Sequence, residues 1–121
     1  LNENGGIELL RLLVIVVKKV ELVDEMMKQL AEIGVHGGTI LEGTGMAKSL
    51  ANMEEVPMFG MLRHLIENGM ERSKVLLFVL RDEQVIQARV SVKNVIDFRE
   101  PNTGIMFSIP ITYVEGLGEK N

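Results

Sequence analysis

The chain reads as two copies of one plan, and no other feature of the sequence limits its fold as strongly. In the first copy Leu12-Leu13-Val14-Ile15-Val16-Val17 is an apolar, β-branched run of strand length, closed by Lys18 and Lys19. From Leu22 to Ile33 the apolar residues Leu22, Met26, Leu30 and Ile33 recur at helical spacing, with Asp24, Glu25, Lys28, Gln29 and Glu32 mostly on the other side. That pattern predicts an amphipathic helix. Gly34 stands where a left-handed helix end is wanted, and Gly37-Gly38 turns the chain into a second strand at Thr39-Ile40-Leu41.

The second copy opens on a buried strand, Lys74-Val75-Leu76-Leu77-Phe78-Val79-Leu80. Asp82 is the expected N-cap of a helix running to about Ile96, with Val85, Arg89, Val92 and Ile96 on one stripe and Ile86 and Val90 widening it. Arg89 must then snorkel or sit at the stripe's edge. After Pro101-Asn102-Thr103-Gly104, the alternation of Ile105, Phe107, Ile109 and Ile111 predicts a last strand with one face buried, and Pro110 assigns it to a sheet edge.

Two β-α-β units in succession give the α+β, ferredoxin-like βαββαβ sandwich: a four-stranded antiparallel sheet with two helices on one face. The first and third strands are continuous apolar runs, so both sheet faces are apolar. The face without helices needs a cover, and further copies of the same chain are the economical one.

The 121 residues suit one domain. The expected division is a flexible terminus over 1–8 and a single domain over 9–121, interrupted by a long loop at about 47–72. The composition, 46% hydrophobic and 25% charged, is that of a chain that folds. A net charge of −4 supplies no field for nucleic acid. With no cysteine there is neither a disulfide nor thiolate chemistry, which fits a cytoplasmic setting. The Leu12–Val17 run is far shorter than the roughly 20 residues of a membrane span, and what precedes it lacks the basic cluster of a signal peptide.

The segment from about Gly43 to Arg72 falls outside the duplication, and so is the first place to look for function. It holds Met46, Met53, Met58, Met61 and Met70, out of 8 methionines in the chain. Methionine both fills cores and lines adaptable binding surfaces. Phe59, Leu62, Leu65 and Ile66 are spaced as a short amphipathic helix around Arg63 and His64, ending at Asn68-Gly69. Phe59, Leu62 and Arg63 are therefore the candidate partner-binding residues.

The stretch Gln29-Leu30-Ala31-Glu32-Ile33-Gly34-Val35-His36-Gly37-Gly38-Thr39-Ile40-Leu41-Glu42 resembles the helix-one to strand-two segment of the PII nitrogen-regulatory, signal-transduction family. Gly45-Met46-Ala47-Lys48 falls where that family has the G-F-G-R step opening its long T-loop, and the later elements follow in the same order. The resemblance implies a non-enzymatic homotrimer. Its intersubunit clefts would bind adenine nucleotides or related small effectors, and its T-loop, here about Ala47 to Arg72, would signal to a regulated protein. No cofactor is required. The ligand-binding residues it implies are Thr39, Gly45, Met46, Ala47 and Lys48 on one wall, and Asn102, Thr103 and Gly104 on the other. Of the family's T-G-x-x-G-D-G-K B-loop only Thr103-Gly104 is present, Thr112 to Glu115 offers no arginine, and the sole tyrosine, Tyr113, lies outside the loop.

Read without the resemblance, Lys48 is a solvated lysine after a turn, and Gly43-Thr44-Gly45 lacks the third glycine of a dinucleotide fingerprint. The catalytic inventory is poor: no cysteine, no G-x-S-x-G elbow and no recognised triad. The alternative reading is a trimer resembling the CutA-type divalent-ion tolerance proteins, with His36, His64, Glu54-Glu55 or methionines as ligands. A third is a scaffold whose loop helix docks on a partner.

Overall fold

The structure, a computed structural model, describes residues 9–51 and 72–117. The expected flexible terminus, the loop helix with Phe59, Leu62 and Arg63, the acidic pair Glu54-Glu55 and His64 lie outside the described residues.

Strands β1 (Leu10–Val17), β2 (Thr39–Thr44), β3 (Arg72–Arg81) and β4 (Gly104–Ile111) form one antiparallel sheet in the order β2-β3-β1-β4. Helix α1 (Val23–Glu32), entered through a 3-10 turn at Val20–Leu22, and helix α3 (Asp82–Lys93) pack on one face. A short helix α2 (Met46–Ala51) follows β2. Each copy of the plan leaves a gap between its strands that the other copy fills, so β1 and β3 pair at the centre. This is the ferredoxin-like arrangement expected from the duplication.

The core lies between the helices and alternate residues of the two central strands. Leu13, Ile15 and Val17 of β1 and Leu76, Phe78 and Leu80 of β3 meet Val23, Met26 and Leu30 of α1 and Val85, Ala88 and Val92 of α3. Phe78 reaches under Gly38, where a β-carbon would come within 2.5 Å of its ring. Removing such a buried ring costs about 3–5 kcal/mol. Helix α1 ends as its glycine requires. Gly34 has φ +93°, its N–H donates to Ala31 O at 3.1 Å, and the Val35 N–H donates to Leu30 O at 3.0 Å. Val35 then packs into the core near Leu30, completing a Schellman end.

Four expectations need correction. The N-cap of α3 is Arg81, one residue earlier than Asp82. The Asp82 carboxylate is taken by Arg11, its N–H donates to Leu9 O, and the Gln84 side chain accepts from the Arg81 N–H instead. Regular helix stops at Lys93, although the Ile96 N–H still returns to Val92 O and Ile96 stays buried. The buried stripe of α3 is Val85, Ala88 and Val92, which leaves Arg89, Ile86 and Val90 exposed.

The fourth correction concerns β4. Ile105, Phe107 and Ile109 point away from the helices and are 43–56% exposed, while Met106 and Ser108 face the core side. The apolar alternation is real, but its apolar side lies on the sheet face opposite α1 and α3. The register aligns these residues in rows across that face: Leu41, Val75, Val16, Ile105; then Thr39, Leu77, Val14, Phe107; then Val79, Leu12, Ile109. As Pro110 required, β4 is an edge strand.

Candidate functional site

Glu42 of β2 pairs with Lys74 of β3, Lys74 with Val17 of β1, and Val17 with Gly104 of β4, making a single row at one end of the sheet. Both candidate walls therefore stand at the same end. They stand at opposite edges, however, separated by three strand spacings, or about 14 Å.

On the β2 side the chain leaves the strand at Thr44, passes Gly45 and enters α2, with the Ser49 N–H donating to Gly45 O at 3.4 Å. The segment expected as the start of a loop at Ala47 thus begins helical. Met46 is 75% exposed, and Ala47 and Lys48 lie in the first turn of α2. Thr39 does not join them. It starts β2, about 17 Å of strand away from Thr44, on the open face beside Leu77.

The β4 wall is a tightly self-bonded turn. The Asp97 carboxylate accepts from the Arg99 backbone N–H and from its guanidinium, each at 3.0 Å, which holds the carboxyl below its ordinary pKa and raises that of the guanidinium. The Glu100 N–H donates to Asp97 O, and the Thr103 hydroxyl donates to Glu100 O at 3.0 Å. Thr103 is 1% exposed, so its hydroxyl is spent inside the turn. Asn102 takes the left-handed conformation at φ +59° and Gly104 lies at φ +143°. A β-carbon on Gly104 would sit 2.0 Å from Val16 O. Glycine is required there because two backbones touch. Thr103 O accepts from the Lys18 N–H at 2.9 Å, which ties the turn to the end of β1.

Sequence reading overlooked the cations that register brings to this end. Lys18 follows Val17, Arg72 and Lys74 open β3, and Lys19 pairs with Glu100 at 3.3 Å. The available signal was the doublet Lys18-Lys19 closing a strand. Its place beside the β4 turn depends on a pairing that joins residues far apart in sequence.

Among the described residues no group of three or more His, Asp or Glu side chains is placed to hold a metal ion, and no helix is long and apolar enough to cross a membrane. His36 is exposed in the turn before β2. None of the described buried side-chain polar atoms lacks a hydrogen-bond partner.

In fold, the chain is similar to the crystal structure of Arabidopsis thaliana PII bound to citrate. The TM-score is 0.58 at 15% sequence identity, over 85% of this chain and 78% of that one. No family model and no curated protein matches the sequence. The likeness lies in the βαββαβ sheet and its two helices.

Proposed function

We propose that the chain is a non-enzymatic, PII-like regulator of the cytoplasm. In this reading it assembles as a homotrimer through its open sheet face and binds a small anionic effector between subunits. It reports occupancy to a protein partner through the segment from Ala47 to Arg72, with Phe59, Leu62 and Arg63 as the contact residues. The supporting observation is the pairing of an apolar sheet face that the described residues leave uncovered with two candidate walls at opposite edges of one sheet.

One copy cannot close a small ligand between edges about 14 Å apart. A head-to-tail arrangement, with the β2 edge of one copy beside the β4 edge of the next, brings unlike walls together and closes as a ring. The cations at that end, Lys18, Arg72, Lys74 and Lys48, favour an anion, and an adenine nucleotide is the first to test. Effector binding biases the segment that leaves β2 at Gly45, because that segment starts at the wall itself.

The test is thermal unfolding with adenine nucleotides, cyclic dinucleotides, bicarbonate, 2-oxoglutarate and divalent metals. A ligand at about a hundred times its dissociation constant adds roughly 2.7 kcal/mol to stability. The proposal expects an anion-specific rise that Lys48→Ala removes. A flat series for every anion contradicts it, and a response to copper or zinc alone favours the metal-responsive alternative.

A further inference from the structure

A groove runs between α3 and the edge strand β4 and reaches the β4 wall at Gly104. Its volume is about 450 Å³, within the roughly 300–1,000 Å³ typical of small-molecule sites. Leu13, Met106 and Phe98 give it an apolar floor. Arg89 and Lys93, one turn apart on α3, line it as well.

Arg11, Lys19 and Arg99 all hold carboxylates. Among the described residues the Arg89 and Lys93 side chains hold none, and they have no hydrogen-bond partner either. Two uncompensated cations one helical turn apart therefore stand beside the groove. The helix rotation that excludes Arg89 from the core stripe is what delivers it here.

We propose that this groove binds a small carboxylate with an apolar body, of which a medium-chain fatty acid is the simplest. The guanidinium of Arg89 takes the carboxylate through two parallel N–H donors, and Lys93 adds a second charge-assisted hydrogen bond. The apolar body covers Phe98 and Met106, beneath which Leu13 is already buried. A polyphosphate suits the groove poorly, since its charge would exceed the two cations and its body would lie on an apolar floor. The groove borders the β4 edge and shares Gly104 with the proposed effector wall, so the titration is read on Arg89 and Lys93, which that wall does not contain.

The test is a titration of the full-length, ¹⁵N-labelled protein with sodium octanoate, followed by amide shifts. The expected result is a saturable shift at Arg89 and Lys93, accompanied by one at Gly104 to Ser108. In the Arg89→Gln, Lys93→Gln double variant the dissociation constant rises at least tenfold with an unchanged circular dichroism spectrum. 1-Octanol, which keeps the tail and lacks the charge, binds at least tenfold more weakly than octanoate. The inference is overturned by an absence of saturation, by equal octanoate affinity in the double variant, by octanol binding as well as octanoate, or by shifts confined to Leu41, Val75 and Leu77 on the open face.

Discussion

Arg11 and Asp82, 71 positions apart in sequence, meet at 2.6 Å, where the guanidinium Nε donates to the carboxylate Oδ1. The pair joins β1 to the first turn of α3, and a second nitrogen of Arg11 reaches the Ser108 hydroxyl of β4 at 3.4 Å. One side chain thus ties together two strands and a helix start. Both partners are partly exposed, 34% and 48%, so solvent screens the pair. Adding the carboxylate's effect on the helix N-terminus, Asp82→Ala should cost about 1 kcal/mol in urea unfolding, with the loss shrinking at high salt.

Gly34 and Gly104 both have positive φ, but only one of them is crowded. Around Gly34 there is nothing within 4 Å of a β-carbon, so Gly34→Ala should cost about 1–2 kcal/mol, the strain of the left-handed conformation alone. Gly104→Ala adds a collision with the Val16 carbonyl and should cost about 3 kcal/mol or more. Equal losses for the two in chemical denaturation would contradict the backbone contact that anchors the β4 turn.

Asp97 should titrate below its ordinary range, because hydrogen bonds from Arg99 favour its charged form. The folded-state pKa lies below the unfolded one. The stabilisation is therefore complete above the unfolded pKa and disappears as pH falls through the folded pKa. Carbon-detected NMR titration of the Asp97 carboxyl checks the direction, and Arg99→Gln should return it toward the ordinary value.

What could be read in the sequence was whatever a local pattern determines. Gly34 marked its helix end because a left-handed residue after an amphipathic run has few alternatives, and Leu12 to Val17 could hardly be anything but a buried strand. Asp82 was misplaced by one position because the residue that claims its carboxylate, Arg11, is remote in the chain. Periodicity showed that Ile105, Phe107 and Ile109 share a face without saying which face, since alternation is symmetric about the sheet until the helices are placed. For the same reason Arg89 could not be assigned to a groove: that needed the rotation of α3 over β4. The two walls were each named, but their common end and opposite edges emerge only from the strand order.

Phe107 lies opposite Val14 on the open face, 43% exposed beside a residue only 7% exposed. If that face is covered by other copies, Phe107→Asp buries a charge at the interface, and assembly is lost while the chain keeps its secondary structure. Far-ultraviolet circular dichroism together with sedimentation velocity checks both halves of that expectation.

The most direct test of the account is the mass of the purified protein in solution, by sedimentation equilibrium at micromolar concentration. The account predicts a single species at three times the 13.5 kDa chain mass, independent of dilution across the micromolar range. A species at the chain mass itself, or at twice it, would contradict the trimer and with it the intersubunit effector site.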